Sequence, residues 1–435
     1  MSDAQTALAQ EPSRDQERWS IHFGPFGRTP DFTRRQWRVF AIAITAGFFD
    51  QYDVALLSLA LKQIQKGLKI AESHLGAMLS MIRLGYLLSL AITPLADVFG
   101  RRRLLLYTIV GYTIFTGLTA IAPEERSFVI FQLLSRAFAG AESTIALVIL
   151  IEEVDAPYRG WSVGLLSAIS SVGYGIAALV FSMINVVPYG WRGLYALALV
   201  PLVMIIPLRR LLPESQRFEA EQSAGERPST VWEPLVALFR AYPGRLTALV
   251  SVSFLGAMGG NTAGVLFPKF LQEVHGYSPG NVTALFFIGG ALGILGNIIA
   301  GRLSDRFGRR AMGALFMFIA PLLTIWIYTA HGFSVAPAWT IELFFDTASG
   351  TIVRSFSAEL FPTSYRSTAG SAFAVAGTTG GALGLAIEGV LYGVTHSHWV
   401  AVRYLTVFWM IAPIILLFVP ETAGRELEEI SPELA

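Results

Sequence analysis

The sequence predicts an all-α membrane protein, with twelve transmembrane helices in two pseudo-symmetric six-helix bundles. Three observations carry this. Apolar stretches of about 20 residues, the length that spans a bilayer, recur along the chain. Of its 435 residues 53% are hydrophobic and only 14% charged, where a soluble domain carries about 25% charge. One polar signature also occurs twice, as TPLADVFGRRRLLL from Thr93 to Leu106 and as GRLSDRFGRRAMG from Gly301 to Gly313.

Each copy lies where one apolar segment stops and the next starts. Glycine permits the sharp turn. The aspartate can accept hydrogen bonds from exposed backbone amides or pair with the arginines. The arginines cross a bilayer only at high cost, so they hold the hinge on one face. Asp97 and Asp305 are 208 residues apart. Glu153 and Glu359, followed six and seven residues later by Arg159 and Arg366, are 206 apart. Pro213-Glu214-Ser215 and Pro420-Glu421-Thr422 are 207 apart. One shared offset implies two equivalent halves.

In chain order, a polar tail of mixed charge (1–36) resembles neither a signal nor a transit peptide. The first bundle (37–212) holds spans at 38–61, 75–97, 103–122, 128–151, 160–186 and 192–212. A polar linker (213–245) follows, in which Val231 to Arg240 is expected to form an amphipathic surface helix. The second bundle (246–420) holds spans at 246–271, 281–302, 311–331, 336–357, 367–393 and 399–420. A short tail (421–435) ends the chain. Basic residues concentrate in the connections that carry Arg101 to Arg103, Arg159, Arg209, Arg210 and Arg302 to Arg310. This bias puts both termini in the cytoplasm, with Lys62, Lys66 and Lys69 as a mild exception outside.

Several function classes drop out. The net charge of +1 argues against nucleic acid. Without cysteine there are no disulfides, thiolate nucleophiles or cysteine metal sites. No P-loop, metal-ligand pair or nucleophile motif is present and the six histidines are scattered, so neither an enzyme nor a cofactor or metal is expected.

Charges inside the spans cost on the order of 2.5–3.5 kcal/mol at the bilayer centre, so those that stay there face a cavity or a partner. They are Asp50, Asp53, Arg83, Arg136, Glu142, Glu342, Asp346, Arg354 and Glu388. Asp50 and Asp53, in FFDQYD, share one helix face. Two carboxylates that close cannot both ionise easily, and one is expected to exchange a proton near neutral pH. Asp53 and Arg136 both lie about eight residues, or roughly 12 Å, from the outer ends of their spans, which makes Arg136 the expected countercharge. Arg83, at similar depth, is a rival partner and could instead meet Glu388.

The repeated signature resembles the G-x-L-x-D-R-x-G-R-R of the major facilitator superfamily of transporters, found after the second and the eighth helix. The second copy fits fully; in the first, Thr93 and Val98 depart. The resemblance runs from about Trp37 to Ile430. It implies the major facilitator fold and secondary transport by alternating access, with a lipid bilayer, a small-molecule substrate and protons as partners and a monomer as the working unit. The expected place is a bacterial inner membrane.

Within the superfamily, FFDQYD resembles the D-G-[FY]-D of aromatic-acid and organic-ion proton symporters, with Gln51 for their glycine, and the G-Y-D of sugar symporters. This implies proton coupling at Asp50, Asp53 and Arg136. The family's fourth-helix arginine falls at Gln132, one turn from Arg136, and Glu142 matches a glutamate of organic-ion branches. Arg354 stands where sugar porters hold a tryptophan and could pair with a carboxylate or snorkel out. Asn261 could donate to a substrate or to a neighbouring helix, and Asp346 is a further candidate contact. Sugar-porter glutamines are replaced by Ser167, Leu255 and Gly256. The stretches EEVDAPYRG, PESQRFE, AELFPTSYRST and PETAGRELEEI match the cytoplasmic motifs. They imply a gate of Asp97, Arg101, Glu153, Arg159, Glu214, Asp305, Arg309, Glu359, Arg366 and Glu421, bridging the halves when shut. The expected function is proton-coupled uptake of a small organic anion, aromatic or another carboxylate; a sugar, organic-cation or drug transporter, or an exporter, is the alternative.

Overall fold

The computed structural model describes residues 18–19, 30–155, 158–199 and 232–423. Outside its helices lies one antiparallel pair of two-residue strands, β1 (Arg18–Trp19) and β2 (Phe32–Thr33). The first part then runs α1 (Arg34–Leu59), α2 (Leu61–Leu68), α3 (Glu72–Ile92), α4 (Leu95–Phe99), α5 (Arg101–Ala120), α6 (Glu125–Glu153), α7 (Arg159–Ser182) and α8 (Trp191–Ala196). The second runs α9 (Trp232–Ala241), α10 (Pro243–Glu273), α11 (Pro279–Phe307), α12 (Arg309–Ile327), α13 (Val335–Glu359), α14 (Arg366–Thr395), α15 (His398–Trp409) and α16 (Ile411–Leu416). Among the described residues ten helices are long and apolar enough to cross a membrane, α15 and α16 counting together. The expected tenth span is α13, 25 residues long, which carries Glu342, Asp346 and Arg354. The expected sixth span begins at α8 and continues outside the described residues. The twelve-helix, two-bundle architecture of the sequence reading is the one this chain adopts.

Local chemistry sets the helix ends. At α1 a capping box forms: Thr33 Oγ1 accepts from the Gln36 N–H at 3.2 Å, and Gln36 Oε1 accepts from the Thr33 N–H at 2.9 Å. The last span is broken between α15 and α16, where Pro413 has no N–H to offer the carbonyl four residues back. The two signature glycines turn alike: Gly100 has φ 91° and ψ 136°, Gly308 φ 96° and ψ 137°. Side chains rarely adopt that backbone region, so glycine at both corners lets α5 and α12 start abruptly. In the linker, α9 buries Leu238 against α10 and α14.

Packing repeats between the halves. α1 lies on α7 as α10 lies on α14; α5 and α3 lie on α6 as α12 and α11 lie on α13. The seam follows the same rule, with α3 against α14 and α7 against α11. Close approach depends on glycine at equivalent places. A Cβ at Gly173 would stand 2.1 Å from the Phe48 carbonyl, and one at Gly380 would stand 2.2 Å from that of Phe254. Gly290, by contrast, meets nothing within 4 Å and lines the space between the halves.

Candidate transport cavity and its gates

A cavity of about 1200 Å³ lies between the halves. Its walls come from α1, α3 and α7 on one side and from α10, α11, α12, α13, α14 and α15 on the other. They are mostly apolar. Tyr174 and Phe286 stack at 6.0 Å across the seam, and Trp339 lies 4.7 Å from Phe286 and 4.9 Å from Phe267. The polar residues on the walls include Gln51, Arg83, Asn261, Asn297, Glu342 and Asp346. Thr351 donates to Asn297 Oδ1 at 2.5 Å, and Thr324 donates to Glu342 at 3.3 Å. An apolar, aromatic chamber with few polar groups suits a ligand with one flat apolar part and one charged end.

Beside this cavity, inside the first bundle, lies a charged cluster. Asp53 is 0% exposed and Arg136 2%. Arg136 Nη2 stands 3.2 Å from Asp53 Oδ2. Its N–H groups point elsewhere, however, to the Asp53 carbonyl at 3.1 Å and to Gln132 Oε1 at 3.3 Å. Both carboxylate oxygens of Asp53 are therefore left without a hydrogen bond. Asp50 is reached through Tyr86. The Tyr86 hydroxyl donates to Asp50 Oδ1 at 3.1 Å and accepts from Arg136 Nη1 at 3.5 Å. Glu142 is buried nearby on α6, with Oε2 unpaired. The cluster thus couples α1, α3 and α6 through one guanidinium.

Among the described residues, the hydrogen bonds that join the halves gather at the end away from the glycine corners. Ser58 donates to the Val265 carbonyl at 3.0 Å, Lys62 to that of Gln272 at 2.9 Å, and Gln63 to Gln272 Oε1 at 2.7 Å. On the other seam Thr283 donates to the Ala178 carbonyl at 2.6 Å. A chain of charges reinforces this end. Lys269, 0% exposed, binds Glu273 at 2.6 Å and Glu72 at 3.1 Å. His398 contacts Glu72 at 2.9 Å and the buried Glu388 at 2.5 Å. Glu72 belongs to the first half and its partners to the second.

At the hinge end the described pairs stay within their own halves. Arg35 grips Glu153 with two bonds of 2.8 Å, and Arg101 pairs with Glu152. In the second half Arg309 pairs with Glu359 and, at 3.2 Å, with Asp305. Thr422 donates to Glu359 at 2.6 Å. Arg366 Nε donates to the Phe361 carbonyl at 3.3 Å. Glu421 accepts from the backbone N–H groups of Arg309 and Arg310 at 2.9 and 3.1 Å, capping α12. Burial pushes the Glu421 carboxyl up, but the N–H groups of Ala423, Arg309, Arg310 and Thr422 outweigh that and hold it below the usual carboxylate range. Asp97 falls in α4 and Arg159 opens α7; Glu214 lies outside the described residues.

Of the residues singled out by sequence, the structure brings Asn261 and Asp346 to the cavity wall. Gln132 and Glu142 lie inside the first bundle instead, because α6 turns that face toward α1, α3 and α5. Asp53 and Arg136 sit there too. Arg354 is exposed; its guanidinium donates to Thr351 Oγ1 at 3.5 Å on its own helix and acts by charge on Asp346. Arg83 meets neither Asp53 nor Glu388, whose partners are Arg136 and His398. Sequence reasoning passed over Tyr86, Glu152, Glu72, Lys269 and His398. Their common signal is a polar residue at the edge or interior of an apolar segment. Arg101 pairs with Glu152 as Arg309 pairs with Glu359, although the repeat matches Glu359 with Glu153.

Similar proteins share this architecture. The D-xylose-proton symporter, known from a crystal structure, superposes with a TM-score of 0.72 at 19% identity, covering 90% of this chain and 99% of the other. A probable 4-methylmuconolactone transporter of Cupriavidus pinatubonensis is 26% identical over 77% of this chain and 79% of its own. The 4-hydroxybenzoate transporter of Pseudomonas aeruginosa is 25% identical over 82% and 86%. The profile of the Major Facilitator Superfamily matches residues 43–384, from α1 through the glycine corners and the cavity into α14. With its two equivalent bundles, its paired glycine hinges and a cavity on the seam, the chain belongs to the major facilitator superfamily of membrane transporters.

Proposed function

We propose that the chain is a proton-coupled importer of a small organic anion, an aromatic or similar carboxylate, working by alternating access. The observation that carries this reading is the Asp53–Arg136 pair, a buried ion pair whose carboxylate has no hydrogen-bond donor. Such a carboxylate is held by charge alone, so one proton cuts the link and frees Arg136 and, through Tyr86, Asp50. The cluster joins α1, α3 and α6, and α1 and α3 also wall the cavity. A change there alters the cavity and the seam together. The aromatic walls and the relatives named as a 4-hydroxybenzoate transporter and a probable 4-methylmuconolactone transporter favour an aromatic or unsaturated acid over a sugar. The xylose symporter's likeness bears on the fold alone.

With both termini in the cytoplasm of a bacterium, the end sealed by Lys269, Glu72 and His398 faces outward and the hinge end faces inward. Residues 37–212 and 246–420 then rock as units, and Arg101, Arg309, Glu153 and Glu359 exchange partners across the seam when the inner side shuts. A single chain does this work. The test is uptake of labelled 4-hydroxybenzoate into vesicles with the pH gradient imposed in either direction. Uptake that rises only when the outside is acidic supports import coupled to protons. Uptake indifferent to the gradient, or efflux as the sole response, refutes it.

A further inference from the structure

Among the described residues the fully buried cations each have an acid, whereas half-buried Arg83 has none. Arg136 has Asp53, Lys269 has Glu72 and Glu273, and Arg101 has Glu152. Arg83, on α3, lines the cavity. Its Nε is buried and without a hydrogen-bond partner. Glu388, the acid on the facing helix α14, is already taken by His398 at 2.5 Å.

The guanidinium also has a place made for it. Gly381 of α14 faces it across the seam. A Cβ built there would stand 2.4 Å from Arg83 Nε, 2.9 Å from Cζ and 3.1 Å from Nη2. The missing side chain therefore leaves a slot that the guanidinium fills. A buried N–H donor without a partner is costly, and a planar fork of N–H donors is the natural match for a carboxylate.

Resting on the reading of the cavity as an organic-anion site, we propose that Arg83, seated opposite Gly381, is the anchor for the carboxylate of the transported acid. The aromatic wall of Phe267, Phe286 and Trp339 then supplies the apolar part of the site. Because Arg83 and Gly381 belong to different halves, a ligand held there also touches the seam that moves.

The experiment is equilibrium binding to the purified full-length chain in detergent, with 4-hydroxybenzoate, benzoate and uncharged benzamide as probes. The wild type binds the acids more tightly than the amide. Arg83→Gln weakens acid binding roughly ten-fold or more, erases the preference for acid and leaves benzamide binding as it was. Arg83→Lys keeps part of the preference. Gly381→Ala, whose added methyl meets the flexible end of Arg83 first, stays folded and weakens acid binding. Arg126→Gln, at an exposed cation away from the cavity, changes nothing. If the wild type prefers acids and Arg83→Gln keeps that preference, this assignment falls while the anion reading stands. If the wild type shows no preference for acid over amide, the anion reading falls and takes the assignment with it.

Discussion

Replacing Arg136 by Met should destabilise the protein by about 4 kcal/mol at neutral pH, by either of two routes. Asp53 is 0% exposed and neither of its carboxylate oxygens has a hydrogen bond. If it stays ionised without Arg136, it is an unpaired buried charge, which costs about 3–5 kcal/mol. If it takes a proton instead, neutralising a carboxyl of ordinary pKa about 3.9 at pH 7 costs roughly 4 kcal/mol. The second route carries a signature. The folded variant then holds one proton more than its unfolded chain, so its stability rises as pH falls, by about 1.4 kcal/mol per unit until the unfolded carboxyl also protonates. Asp53→Asn/Arg136→Met removes the stranded charge and should recover most of the loss. The assay is thermal unfolding of the three proteins in detergent between pH 5 and 7.5. An Arg136→Met protein as stable as wild type, or a double variant no better than the single one, would refute the idea that this charge pair is energetically coupled.

Further predictions concern the gates and the relay. Tyr86→Phe removes the hydroxyl that joins Arg136 to Asp50; uptake driven by a pH gradient should fall while binding of the acid, measured by titration, stays. Gln63→Cys/Gln272→Cys, in a chain without native cysteine, should cross-link the end where these side chains meet at 2.7 Å. Adding Glu72→Ala, which strips Lys269 and His398 of their partner from the other half, should slow that cross-link. An unchanged rate would mean the charge chain does not hold the end shut. Glu421→Ala should melt below wild type at pH 7. Since the Glu421 carboxyl sits below its usual range, its contribution is present above about pH 4 and lost as pH falls through the lowered value. A melting gap that widens on acidification would contradict the capping of α12.

Much of the fold was legible because a bilayer simplifies the sequence. Span length and hinge chemistry repeat, and the offset between Asp97 and Asp305 exposes the two halves directly. The depth of Asp53 and Arg136 was legible as well, since helical rise converts position into distance. What it could not supply was the rotation of each helix. Gln132 and Glu142 share the buried face of α6 with Arg136, and the exposed Arg354 is not among the residues that line the cavity. Only packing fixes such directions. The seal of Lys269, Glu72 and His398 was invisible for another reason: its members come from α3, α10 and α15, and nothing in their local sequence joins them. Arg83 was visible as a charge, but its slot is the absence of a side chain at Gly381 on another helix.

Proton movement itself is the most direct test. Liposomes holding the protein and a trapped pH-sensitive dye receive 4-hydroxybenzoate outside, at equal pH on both sides. Proton-coupled import acidifies the lumen faster than in empty liposomes, and Asp53→Asn falls back to the empty rate. Acid uptake with no extra acidification, or full acidification with Asp53→Asn, would contradict a mechanism that turns on the Asp53–Arg136 pair.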